Sequence, residues 1–135
     1  MKYVKVFLLS LFSFIILLSS VSFAETSATP YFEIAQDYSS NPFKAERSWL
    51  GKNIAVESEI AGGIGNSVIT FSQENTSGKY KRVEYDFYFR NGFDKTLSLQ
   101  KGQKIKIIGQ ICKLIVSTFN NNQLFILMDN SKIIK

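Results

Sequence analysis

The chain contains no histidine and a single cysteine, and those two counts bound what its side chains can do. Ser-His and Cys-His nucleophile pairs need an imidazole base, and imidazole is also the commonest transition-metal ligand. A structural zinc site, which takes four cysteine or histidine ligands, is excluded on number alone. Carboxylates at two-residue spacing remain: Glu57 with Glu59, and Glu84 with Asp86. Each pair shares one face of an extended strand, where it could hold a divalent cation or act as acid and base in a metal-dependent hydrolase. The same spacing arises wherever a strand alternates between core and water, with lysines across the ladder as partners. Alternation accounts for every acidic position. The expectation is therefore a solvated face, with no catalytic residue, cofactor or metal.

Basic side chains interleaved with rings offer a second chemistry. Lys79, Lys81, Arg82 and Arg90 surround one segment that also carries Tyr80 and Tyr88, while Lys101, Lys104, Lys106 and Lys113 lie along a later one. Such surfaces hold single-stranded nucleic acid by stacking and charge. A ring beside a guanidinium stacks a sugar or a partner's side chain equally well. The plainer account is solubility, with lysines protecting strand edges. Gly62-Gly63-Ile64-Gly65 has no lysine-serine or lysine-threonine ending and leads into a strand, so it reads as a turn and not a phosphate loop.

The start of the chain sets the compartment. Lys2 and Lys5 precede an apolar run from Val6 to Leu18, and Ser22-Phe23-Ala24 places small residues where a signal peptidase reads. Residues 1–24 read as a cleaved signal peptide, and the run is short for a membrane span with no basic flank after it. The protein is expected in the periplasm or secreted. Removing Lys2 and Lys5 takes the 16 basic side chains to 14 against 11 acidic ones, a net charge of +3. That balance tolerates an anionic partner without requiring one. Cys112 has no intramolecular partner. Between Ile111 and Leu114 it reads as a small buried hydrophobe, with an inter-chain disulfide as the sharper alternative.

Two short helices are expected first, at about 31–38 and 43–50. Thr29-Pro30 and Asn41-Pro42 each supply a cap and a first-turn proline, Tyr38-Ser39-Ser40 marks a break, and Gly51 ends the second helix. Five strands follow. Asn53–Ala61 carries Ile54, Val56 and Ile60 on one side, and Ser67–Gln73 is the second strand. Lys81–Arg90 alternates most cleanly, with Val83, Tyr85, Phe87 and Phe89 against Arg82, Glu84, Asp86, Tyr88 and Arg90. A helical turn over 93–99 precedes the fourth strand, running from about Gly102 to Val116. That strand repeats the pattern of the first through Ile105, Ile107 and Ile111, and Gly109 marks a bend or close approach. Leu124–Met128 is the fifth, with Ile133-Ile134 extending it after Asn130. This order is that of a mainly β, five-stranded Greek-key OB-fold barrel closed on itself. Residues 25–40 form a partly helical N-terminal extension and 41–135 the barrel domain.

Asn41, Ala45, Trp49-Leu-Gly-Lys52, the Ile54/Val56/Ile60 strand, and Leu99-Gln-Lys-Gly102 leading into Ile105-Lys-Ile-Ile-Gly109 resemble the tRNA_anti-like family. Its members are small bacterial OB-fold proteins, often exported or lipid-anchored. The resemblance spans about Asn41 to Ile134 and implies the fold, with no defined activity. Cysteines that many relatives carry on the third and fifth strands are replaced here by Tyr85 or Phe87 and by Met128. OB-folds bind across strands two and three, between the loops joining strands one to two and four to five. The expected ligand contacts are therefore Lys79, Tyr80, Arg82, Tyr88 and Arg90, with Asn66, Asn120 and Asn121 at the rim. The reading is a binding module without catalysis, for a protein, peptide or glycan in preference to nucleic acid. A structural component of an envelope assembly is the alternative.

Overall fold

The computed structural model describes residues 27–64, 67–93, 98–117, 119 and 122–134. The expected signal peptide, and the core of the expected turn over 93–99, lie outside the described residues. Helix α1 (Glu33–Ser40) and helix α2 (Pro42–Trp49) precede strands β1 (Asn53–Ile64), β2 (Val68–Glu74), β3 (Arg82–Tyr88), β4 (Lys104–Ser117) and β5 (Gln123–Ile134). The strands close into a barrel in the order β1-β2-β3-β5-β4, with β3 parallel to β5 and every other pairing antiparallel. That is the OB-fold connectivity expected from the strand order. No helix among the described residues is long and apolar enough to cross a membrane.

Asn41 sets both helices. Its backbone N–H donates to Asp37 O at 3.0 Å to close α1, and its side chain accepts from Lys44 N at 3.1 Å to open α2, where Pro42 is first. The break thus falls at Asn41 and not within Tyr38–Ser40. The Ser39 and Ser40 hydroxyls turn back onto Gln36 O, which lets α1 continue past them. Gly51, at φ 84°, ends α2 as expected. Helix α1 starts at Glu33, two residues later than expected, because residues 31–32 form a turn. In that turn Tyr31 and β3 exchange bonds: Tyr31 Oη donates to Val83 O at 2.9 Å, and Tyr85 Oη donates to Tyr31 O at 2.8 Å. Ile34, Ala35, Ala45 and Trp49 join the barrel side chains in one core. The helices therefore plug the end of the barrel where β1 and β3 begin.

The expected inward rows are confirmed. Val83, Tyr85, Phe87 and Phe89 are buried, as are Ile54, Val56, Ile60, Ile107 and Ile111. Ile105 lies on the same side but only half covered, near the open end. Gly109 sits at a register shift between β4 and β5, and a Cβ there would stand 2.9 Å from Ser131 Oγ. Strand β5 runs on through Ile133-Ile134 as expected, with its irregularity taken up at Asn130, φ 51°.

Candidate OB-fold binding face

Alternation on β3 turns Arg82, Glu84, Asp86 and Tyr88 outward, and the register sets their neighbours. Across β2 lie Glu74, Ser72, Thr70 and Val68, respectively. Across β5, Gln123 stands beside Arg82, Phe125 beside Glu84 and Leu127 beside Asp86. The β1–β2 connection lies at the Tyr88 end of this face and the β4–β5 connection at the Arg82 end. Asn66, Asn120 and Asn121, expected at the rim, lie outside the described residues. Beside them, Phe119 is 83% exposed.

The expected basic platform differs in two ways. Tyr80 is not on the face: its ring is 3% exposed and packs 6.0 Å from the Tyr38 ring of α1. It follows Gly78 and Lys79 in a loop, where strand alternation does not apply, and α1 supplies an apolar wall for it. Arg90 and Arg82 are both on the surface, and Arg90 is already engaged. Arg90 Nη2 donates to Asp129 Oδ2 at 2.9 Å and holds that carboxylate below its usual range, and Arg82 Nη2 stands 3.9 Å from Glu74. Lys79 remains exposed on the loop. Arg82 and Lys81 border a polar depression of about 390 Å³ that also meets Thr76 and Gln123.

The middle of the face is acidic. Glu84 and Asp86 are half-buried side by side, and Thr70 Oγ1 donates to Asp86 Oδ1 at 2.9 Å. Burial raises the Glu84 carboxyl to about 7, helped by its hydrogen bond to Asp86 and by that neighbour's charge, while Arg82 pulls the other way. Around them stand Tyr88, Val68, Phe125 and Leu127, a row the sequence reading left unassigned on β5. The inward Leu124, Ile126 and Met128 would have given it, since their partners in alternation must face out.

The other carboxylate pair lies elsewhere. Glu57 and Glu59 oppose Lys106 and Lys104 across the β1–β4 ladder, and Lys104 Nζ comes within 3.7 Å of Glu57 Oε1. These are the cross-strand lysine partners expected. Strand β3 pairs with β2 and β5 and not with this stretch of β1, so the two carboxylate pairs lie on separate parts of the barrel. No group of three or more acidic or cysteine side chains is placed to hold a metal among the described residues. Cys112 is exposed, against expectation, because it follows Ile111, which faces the core, and so faces out by alternation. Its thiol donates to Leu127 O at 3.2 Å.

The sequence profile of the family described as tRNA_anti-like matches residues 1–123. Among solved structures the chain is similar to a "putative nucleic acid-binding lipoprotein" from Klebsiella pneumoniae subsp. pneumoniae. The two share 22% identity over 84% of this chain and 96% of that one, with a TM-score of 0.55, a likeness of fold. Among curated proteins nothing matches.

Proposed function

Because the chain belongs to the tRNA_anti-like family, we propose that it is an exported OB-fold binding module, without catalytic activity, that holds a protein or peptide across the outer face of β2 and β3. One observation carries the choice of ligand: Glu84 and Asp86 occupy the centre of that face, and Arg90 at one end is held by Asp129. A nucleic-acid strand crossing there would bring phosphates against carboxyls and would have to compete with Asp129 for Arg90. A peptide with a lysine or arginine suits the same surface. Its cation meets the carboxyl pair and its aliphatic stem lies along Phe125, Leu127 and Tyr88. Export rests on the Lys2 to Ala24 pattern. The similar Klebsiella protein is a lipoprotein by name, which is in keeping with an envelope location.

The name of that protein also favours a second reading, a nucleic-acid ligand entering by the loop side, where Lys79, Lys81 and Arg82 lie. Titrating isotope-labelled protein with a lysine-containing hexapeptide, and separately with single-stranded oligothymidylate, tells the two apart. The peptide should shift amides at Glu84, Asp86, Tyr88 and Phe125, and Glu84→Gln with Asp86→Asn should weaken it. A response to the oligonucleotide alone, centred on Lys79 and Arg82, would replace the peptide reading with the nucleic-acid one.

A further inference from the structure

The surplus lysine of this chain is not on the β2–β3 face. It gathers at the barrel end away from the helices, where β4 begins and β5 finishes. Lys101 lies on the turn before β4, Lys104 and Lys106 project from β4, and Lys132 from β5 stands opposite Ile108. Glu57 is held by Lys104, while Lys106 and Lys132 make no ion pair among the described residues.

Beside these lysines the surface is hollow and apolar. A groove of about 370 Å³ is lined by the apolar Leu99, Ile105, Ile133 and Ile134 and by the polar Glu57, Gln103, Lys104 and Lys106. Ile105 and Ile133 point inward by alternation, but they occupy the end rungs of the ladder, so each is only half covered. The volume is within the ordinary range of small-molecule sites. Lysines that served only solubility or edge protection would need no groove at their feet.

The two halves of the groove select its occupant by charge and polarity together. A bare anion would neutralise the ammonium groups and leave the isoleucines wet. A neutral hydrocarbon would cover the isoleucines and ignore the lysines. From this juxtaposition we infer that the groove binds an anionic amphiphile, with a carboxylate or phosphate head at Lys104 and Lys106 and an unbranched chain along Leu99, Ile105 and Ile133. Glu57, beside both lysines, sets the affinity by competing for them. The site is on β4 and β5 and stands or falls apart from the β2–β3 reading.

Methyl-resolved NMR of the folded protein with dodecyl phosphate, kept below its micelle concentration, tests this. Saturable shifts are expected at Leu99, Ile105, Ile133 and Ile134, with dodecyl maltoside at least about tenfold weaker and inorganic phosphate without effect. Lys104→Gln with Lys106→Gln should weaken dodecyl phosphate by about fivefold or more, the scale of one lysine against an anionic head. Glu57→Gln should tighten it. All three side chains project from the barrel surface, so these variants keep the fold. Co-sedimentation with phosphatidylglycerol vesicles separates the sources: pelleting identifies a membrane lipid, and its absence beside dodecyl phosphate binding identifies a free amphiphile. The inference is overturned by shifts absent from those four residues, by equal affinity for the maltoside, or by lysine and glutamate variants that bind as the parent does.

Discussion

Strands β3 and β4 are built from the same alternation and present different outer surfaces. Strand β3 runs seven residues with no shift against β2 or β5, so its exposed and buried rows are unbroken. Strand β4 runs fourteen residues, and against β5 its register shifts twice, at Ile108/Gln110 and Ile111/Lys113. The outer row of β3 has an acidic centre among apolar neighbours, whereas the outer row of β4 begins with lysines. An unbroken ladder keeps side-chain period and facing in step, and each bulge re-aims everything beyond it.

Deleting a ring from the regular strand should have the largest effect. Phe87 is fully buried and packs 5.0 Å from Phe71, ring centre to ring centre. Phe87→Ala is expected to cost ~3–5 kcal/mol, read as a lowered denaturation midpoint at constant slope. A midpoint equal to the parent's would mean the β3 facing is inverted.

The irregular strand is more finely tested by adding an atom. Gly109→Ala puts a methyl 2.9 Å from Ser131 Oγ and 3.2 Å from Met128 Cβ, and should cost ~1–3 kcal/mol by overpacking. Ser131 Oγ is buried with no hydrogen-bond partner, so Ser131→Ala alone should be near neutral. In the double variant Ser131→Ala should recover part of the Gly109→Ala loss, a coupling that a double-mutant cycle measures. Strictly additive effects would place the strain of the bulge elsewhere.

These two strands also show what the sequence could convey. The β3 rows were legible because Val83, Tyr85, Phe87 and Phe89 alternate without interruption, and Asn41 and Gly51 announced the boundaries of α2 through cap chemistry. Gly109 was legible as a close approach, but Ser131, the side chain that comes near it, lies twenty-two residues away. Tyr80 and Cys112 were misplaced for different reasons. The partner that buries Tyr80 is on α1, whereas Cys112 follows the inward Ile111 and faces out by the alternation already legible in the strand. The carboxyl pair was visible as spacing, but its central, half-buried position depends on β2 and β5 lying to either side.

That pair gives the next effect, a pH dependence. The Glu84 carboxyl is raised from an ordinary 4.5 to about 7, so between those values the folded state binds more protons than the unfolded one. Stability then falls as pH rises from about 4.5 to about 7, and below that window the carboxyl is neutral in both states and costs nothing. Partial exposure screens the size of the effect, so the prediction is the sign and the window. Glu84→Gln should flatten the slope and be more stable than the parent at pH 8. A variant with the parent's slope would assign the titration to another group.

The smallest effect in free energy is a direct probe of the β4 facing. Cys112 follows the inward Ile111 and so faces out, and the shift at Ile111/Lys113 leaves Lys113 exposed as well before Leu114 returns to the core. A maleimide should therefore label the native protein in the absence of denaturant. The reaction should be slower than that of a free thiol, because partial burial first, and the Asp129 carboxylate second, push the Cys112 thiol up and lower its thiolate fraction. Raising the pH should speed labelling, and Asp129→Asn should speed it at fixed pH by removing the nearby negative charge. That substitution also frees Arg90, so unchanged labelling would mean that burial alone governs the thiol. Labelling only after unfolding would show that Cys112 is covered in the native barrel.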